Sequence, residues 1–319
     1  MVRKRVAFKQ AYLVFAVLAL VFLAGCTGSG KNAPTKTTPF CGGLDGVEMK
    51  FVEGSPPSEV FDSNQFPFDV TLRLFNKGEH PVEASDSRIE LSGISPVDFG
   101  GPVYTKVINE RLSSKHKDQE GKCVDGDPVH ISFGGAGEEP FKYRHSLPGN
   151  TLFTLRADLC YRYKSNATVQ FCVQKELPRF GQEPTCKVDE LKAVSNSGSP
   201  LHIDEFKQSP GGESRIAFTF TIGHKGTGAI HSGELCDSSF QSRNKVHVKV
   251  SSRVGVVSCS SLNGGNEGDI VMIDNKRVLN CVLDTAGVTG REFETPVNIE
   301  LGFNYKQHED TTILVKHLG

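Results

Sequence analysis

The chain has 319 residues, a length that accommodates two domains at roughly 100–200 residues each. Its 36 Lys and Arg against 37 Asp and Glu leave a formal charge of −1, and no Lys/Arg stripe with interleaved aromatics occurs, so composition points away from nucleic acid as a partner. Tryptophan is absent and Phe outnumbers Tyr by 21 to 6, with many Phe in alternating runs of the kind that line sheet cores.

The amino terminus opens with Arg3, Lys4, Arg5 and Lys9 and continues from Ala11 to Gly25 without a charge. That run is too short to span a bilayer comfortably and fits the hydrophobic region of an export signal. It ends in Leu23-Ala24-Gly25-Cys26, which resembles the lipobox of prokaryotic lipoproteins. The resemblance implies cleavage of residues 1–25 as a signal peptide and a thioether-linked lipid on Cys26. Membrane lipid is then the first partner, and the chain is held outside the cytoplasm on the outer face of the cell membrane. Each buried methylene contributes about 0.8 kcal/mol, and stable attachment takes two chains or a second signal. Residues 27–40, rich in Gly, Ser, Thr and Pro without apolar periodicity, read as a flexible tether.

Beyond the tether, short alternating runs recur and Gly, Pro, Asn and Asp punctuate them. In the first half they cover 47–51, 68–75, 88–91, 129–133, 152–163 and 169–173. In the second they cover 214–222, 245–250, 254–259, 269–273, 277–283, 297–305 and 311–315. This spacing predicts an all-β fold: two tandem antiparallel immunoglobulin-like β-sandwiches, one over residues 41–182 and one over 183–319. Residues 107–117 read as a helix or a loop, 274–276 as a hairpin turn, and the proline-bearing 177–185 as the inter-domain link.

Nine cysteines are present. With Cys26 set aside, four fall in each half, which in an exported chain reads as disulfides; no C-x-x-C spacing supports a metal site. Four cysteines allow three connectivities, and one pair can be argued from the residues. If 155–163 and 168–173 form a hairpin centred on Asn166, Cys160 lies opposite Cys172 and a disulfide staples its polar face. The remaining cysteines are expected to pair as Cys41–Cys123, Cys186–Cys236 and Cys259–Cys281, with the other connectivities open. Asn166-Ala167-Thr168 is a glycosylation sequon, which this hairpin would expose at its tip.

The halves also resemble each other. LCYRYKSNATVQFCV (159–173) aligns without a gap on LGFNYKQHEDTTILV (301–315), carrying Leu159 onto Leu301, Tyr161 onto Phe303 and Tyr163 onto Tyr305. FPFDVTLRLFNKGEHPV (66–82) parallels SRIAFTFTIGHKGTGAI (214–230). Gly78 and Gly226 end these strands, where a tight turn with φ > 0 is expected. Duplication of one fold is the simplest account.

The run F-x-V-x-L-x-N-K-G-E from Phe68 to Glu79 resembles CARDB-like and other immunoglobulin-like extracellular modules. The fuller layout, with FVEGSPPSEVFD, the CYRY…FC segment and TPVNIELGFNY, is similar to uncharacterised surface proteins of archaea. The resemblance implies fold and surface location and brings no catalytic residue.

Candidate sites are few. Asp125, Asp127, Glu138 and Glu139 are possible calcium ligands, but their spacing matches no calcium loop, and Gly126 and Pro128 suit a turn. Ten histidines are scattered without H-E-x-x-H, and no G-x-S-x-G elbow occurs. The clusters at 134–137 and 263–266 do not lead into a helix, so they do not read as phosphate cradles. No cofactor is implied. The sequence points to a non-enzymatic surface lipoprotein, an adhesion, envelope or interaction module binding a surface protein or glycan. The substrate-binding lipoprotein of a transporter is the alternative, opposed by the shortage of helices, and an extracellular hydrolase follows it.

Overall fold

The computed structural model describes residues 38–101, 103–135, 137–174, 185–212, 214–237, 239–289 and 292–318. Their alternating runs form strands that pair antiparallel, except that Glu59–Phe61 runs parallel to Glu292–Lys316. The first half contributes β1 (Val47–Phe51), β2 (Glu59–Phe61), β3 (Val70–Asn76), β4 (Ser87–Ser92), β5 (Thr105–Lys106), β6 (His116–Lys117), β7 (Cys123–Val124), β8 (Val129–Phe133) and β9 (Thr151–Gln174). The second contributes β10 (Glu190–Leu191), β11 (Val194–Asn196), β12 (Leu201–Pro210), β13 (Arg215–His224), β14 (Ala229–His231), β15 (Lys245–Ser252), β16 (Val256–Cys259), β17 (Glu267–Val271), β18 (Lys276–Asp284) and β19 (Glu292–Lys316). Residues 107–117 contain no helix: Leu112 bridges to Val82, and the segment ends in β6. Asp274 and Asn275 both take positive φ in a turn closed by Ile273 and Lys276.

The expected hairpin centred on Asn166 does not form, and neither does one over its aligned copy at 301–315. Residues 151–174 are one unbroken strand, and so are 292–316. Lys164-Ser165-Asn166-Ala167 contains no Gly or Pro, and none of the four takes positive φ. The alternation also runs straight through it: Tyr163, Ser165, Ala167 and Val169 are buried, while Arg162 and Lys164 are exposed. A turn would have broken this pattern and left Ser165 and Ala167 without their inner-face packing.

β9 and β19 instead pair with each other along their whole length. Tyr161 faces Tyr305 and Tyr163 faces Phe303, so Arg162 opposite Asn304 marks the middle of this part of the ladder. The sequence match that carries Leu159 onto Leu301 also carries Arg162 onto Asn304. The internal repeat is therefore a local two-fold passing between the strands, with each copy's final strand lying against the other's.

These two strands form the spine of a nine-stranded sheet ordered β17-β15-β19-β9-β4-β5, with β11, β14 and β2 on its edges. Two smaller sheets cover one face of it. One is β1-β3-β8, the other β10-β12-β13-β18-β16. Each long strand serves both lobes. The first half of β9 pairs with β4, and the second half of β9 sends Phe171 against Phe206 and Phe218, at ring centroid distances of 6.2 and 5.4 Å. Reciprocally, β19 starts against β15 and ends against β2.

Stacked Phe206, Phe218 and Phe220 fill the second lobe; Phe68, Phe99, Phe141 and Tyr143 fill one end of the first. Fully burying a Phe contributes about 1.5–3 kcal/mol, so these clusters carry much of each lobe's stability despite the lack of Trp.

Candidate functional site

The cysteines fix which segments stay together. Cys41 bonds Cys123 and Cys259 bonds Cys281. Cys160 does not bond Cys172, and Cys186 does not bond Cys236. In a continuous strand the first pair is twelve residues apart, about 40 Å at ~3.3 Å per residue. Cys160 bonds Cys236 and Cys172 bonds Cys186. Four disulfides imply folding in an oxidising, extracytoplasmic compartment. Among the described residues no helix is long and apolar enough to cross a membrane. Leu23, Ala24, Gly25, Cys26 and the tether to residue 37 lie outside the described residues, as do 175–184 with most of the expected link.

Asn166 is not at a hairpin tip. It sits half-buried in mid-strand, opposite Glu300, and its N–H donates to Ser197 Oγ at 2.8 Å. The acidic candidates do not converge. Asp125 pairs with Lys115, Glu138 with Lys106, and Glu139 with Arg144. The three-ligand grouping of Cys172, Cys186 and Glu292 has its two sulfurs in a disulfide.

The uncovered face of the large sheet carries the even-numbered side chains of β9 and β19. Opposite charges sit side by side across it. Arg156 chelates Asp310 through two bonds of 2.7 and 2.9 Å, Arg162 reaches Asp86 at 3.2 Å, and Lys164 reaches Glu300 at 2.9 Å. His247 lies between Asp269 (2.7 Å) and Glu267 (3.1 Å), which raise its pKa in that order of importance. Such exposed pairs contribute about 0–1 kcal/mol each, so their consequence is a fixed charge pattern more than stability.

Near the two-fold this face is hollowed. Gly302 stands between His247 and Lys164 in one cross-strand row, and its missing side chain leaves a floor. Arg162, Asn304, His80 and Asp86 wall a depression of about 430 Å³ above it. The segment after β14 closes one side. Asn304 Nδ2 donates to the carbonyls of Gly233 and Glu234, both at 3.1 Å, and Cys236 is bonded to Cys160 beneath. His231 is buried here with Nδ1 unpartnered, and burial lowers its pKa. Phe240, in the same segment, is 89% exposed.

Beneath the covered face lies an aromatic hub that alternation alone did not disclose. Tyr161, Tyr163, Phe303 and Tyr305 contact one another edge-on or tilted around the two-fold. Tyr163 Oη donates to Asn76 Oδ1 at 2.9 Å and accepts from His80 N–H at 3.4 Å. Tyr305 Oη accepts from Gly228 N–H at 2.8 Å and lies 3.1 Å from His224 Nε2. Burial pushes both phenols up, Tyr163 well above the usual range and Tyr305 to about 12.

Gly78 and Gly226 do not have positive φ, contrary to the turn expectation. They are small because a Cβ would collide with the Tyr163 and Tyr305 hydroxyls respectively. Glu79, next to Gly78, accepts the N–H groups of Cys41, Gly42 and Gly198 at 2.8, 2.9 and 2.6 Å and so ties both lobe entrances together. The sequence signal for this hub was the joint repetition of Lys-Gly and Tyr in the two halves.

No family model and no curated protein matches this chain. Among solved structures, the secreted serine protease VesC from Vibrio cholerae aligns at 9% identity over 81% of this chain, with a TM-score of 0.18. This chain spans half of that protein. The serine-rich repeat adhesion glycoprotein Srr1 from Streptococcus agalactiae aligns at 7% identity over 89% of this chain and 98% of its own, also at 0.18. At those scores neither carries an argument. Fold and disulfides define the class directly: an all-β, sandwich-type protein with four disulfides, suited to an oxidising space outside the cytoplasm.

Proposed function

We propose that this chain is a non-enzymatic cell-surface lipoprotein, attached through Cys26 and acting as an adhesion, envelope or interaction module. The observation that carries the reading is the interlock of two sandwich lobes by β9, β19 and the Cys160–Cys236 bond. It makes a stiff platform whose uncovered face presents ordered charges outward. Sheet surfaces and loops held on a rigid scaffold are where recognition concentrates, and a surface protein or glycan is the partner class that suits a polar, ion-paired face.

The reading is tested in the native host. Mass spectrometry of the mature protein is expected to find lipid on Cys26, and a Cys26→Ala strain is expected to lose the protein from the membrane fraction. Lys164→Glu together with His247→Ala is expected to abolish binding of cells or envelope fragments to immobilised protein without changing its disulfides. Unlipidated protein in the cytosol, or binding that is indifferent to the face, overturns the proposal.

A further inference from the structure

The local two-fold makes each lobe a reference for the other, and at one place the lobes differ. In the second lobe, the gap between β12 and the outer edge of β9 is filled by the chain's own β11. Val194–Asn196 pair with Val169–Ala167, and Ser197 N–H donates to Asn166 O at 2.8 Å. On the other side, Asn196 closes on Ile203 with both ends of its amide: Nδ2 donates to the carbonyl at 3.0 Å and Oδ1 accepts the N–H at 2.9 Å. Lys192 N–H donates to Phe206 O at 2.8 Å. The backbone of both strand edges is thereby satisfied.

The corresponding gap in the first lobe lies between β1 and the outer edge of β19. The landmarks correspond one by one. Gln307 Nε2 donates to Val47 O at 2.6 Å where Ser165 Oγ donates to Leu201 O at 2.6 Å. Lys77 N–H donates to Gly46 O where Lys225 N–H donates to Pro200 O. His308 therefore stands in the place of Asn166, and Met49 in that of Ile203.

On this edge β14 reaches only to Lys306 and β2 begins at Leu314. Leu314 N–H donates outward to Ser58, and Lys316 O accepts from Asp62. The same alternation aims the backbone of His308, Asp310 and Thr312 outward. The first of these, His308, lines a cleft of about 240 Å³ walled by Glu48, Met49 and Lys50. Among the described residues no strand pairs with either edge there.

The chain itself explains why. Counting back from Gly46 as Asn196 counts back from Pro200, the segment at the place of β11 is the one ending in Gly42. It is led to the other lobe. Gly43 O accepts from Ser199 N–H and Phe40 lines a hollow with Asn166 and Thr168, while Cys41 and Gly42 donating to Glu79 and the Cys41–Cys123 bond hold the segment there from the first half.

We propose that the β1/β19 slot is a strand-acceptor site, taking an extended segment of a partner polypeptide. The incoming backbone pairs with β19 at His308–Thr312, and an Asn or Gln side chain closes on Met49 as Asn196 closes on Ile203. This is addition of a strand to a sheet edge. Asp45 and Glu309 line the slot, while Glu48 is already ion-paired with Lys50 and Lys77, so the segment carries a basic residue. The existence of a partner rests on the interaction-module reading; the slot's shape does not.

The probe is a capped nonapeptide with the sequence of residues 191–199, titrated onto the full-length, fully oxidised chain in detergent and followed by peptide fluorescence anisotropy and backbone amide exchange. The expected result is saturable binding that slows exchange at Met49, His308 and Asp310 and leaves Ile203 unchanged. Replacing the peptide's Asn by Ala is expected to weaken binding about tenfold, the equivalent of one or two hydrogen bonds. His308→Pro removes an outward N–H at a position where an edge strand tolerates proline, and is expected to weaken binding to a similar degree. No saturable binding at millimolar peptide, protection at other amides, or Met49 and His308 already protected without peptide (the chain's own tether filling the slot) overturns the proposal. Failure here with Cys26 lipidated rejects the slot alone; an unlipidated cytosolic protein rejects the surface reading alone.

Discussion

Phe171→Ala tests the interlock. By sequence Phe171 belongs to the first half, yet its ring is fully buried in the second lobe against Phe206 and Phe218. Truncating a buried Phe costs about 3–5 kcal/mol from lost transfer energy and the cavity left behind. Two edge-to-face contacts are lost within that figure. With no Trp in the chain, amide exchange is the suitable assay. At ~1.4 kcal/mol per factor of ten, exchange through local or global opening is expected to accelerate at least 100-fold in β12 and β13. β1, β3 and β8 are expected to follow only as far as the lobes unfold together, because β9 and β19 run through both. Acceleration confined to residues 47–133, with β12 and β13 unchanged, would refute the exchange of strands between lobes.

Tyr163→Phe removes the buried hydroxyl from Asn76 and His80 and is expected to cost about 1–3 kcal/mol in urea unfolding; an unchanged midpoint would remove the hub from the stability argument. Joint Cys172→Ser and Cys186→Ser substitution opens a loop with a sequence separation of 14 and is expected to cost about 3 kcal/mol on the chain-entropy account. Asp62 accepts the Leu147 and Leu318 N–H groups and the His317 ring, which hold its carboxyl well below the usual range, Leu147 contributing most. Its contribution is therefore present above the ordinary carboxylate pKa of about 3.9 and is lost as pH falls below that value. Asp62→Asn is expected to flatten the acid limb of exchange in β2 and the end of β19. His247 runs the other way: its pKa is raised by Asp269 and then Glu267, so its contribution is complete below about 6.5 and fades as pH rises through the raised value. An imidazole titration midpoint at or below 6.5 would contradict the two-carboxylate geometry.

Alternation disclosed the all-β fold because side chains in a half-covered sheet repeat with period two. β1 and β8 match the expected ranges, and β3, β13 and β18 differ by a few residues at their ends. It could not disclose the hairpins' absence. A hairpin centred on Asn166 and a straight strand through Asn166 keep the same odd-numbered residues inward, so Tyr161, Tyr163, Val169 and Phe171 look identical in both. What decides is turn chemistry, and Lys-Ser-Asn-Ala offers no glycine for a two-residue turn. A Cys160–Cys172 bond follows only from the hairpin, and in the straight strand each sulfur has another partner. Gly78 and Gly226 were visible as a repeated feature, but sequence cannot separate a glycine kept for φ from one kept for the approach of a tyrosine hydroxyl on a strand more than eighty positions away along the first half.

The differences between the copies say more about use than the similarities do. Tyr163 and Tyr305 are kept, with Gly78 and Gly226, because the hub lies on the two-fold and each half must supply the same parts. Away from the axis the copies part. Cys160 anchors Cys236 where the second copy has Gly302, so one side of the open face is clasped by a loop and the other is left as a floor. Asn166 meets Ser197 where the second copy has His308, so among the described residues one edge is filled and the other is not. Neither departure improves the shared core, since both lie outside it. The copies therefore diverge at one surface hollow and one strand edge, while the buried hub between them stays matched.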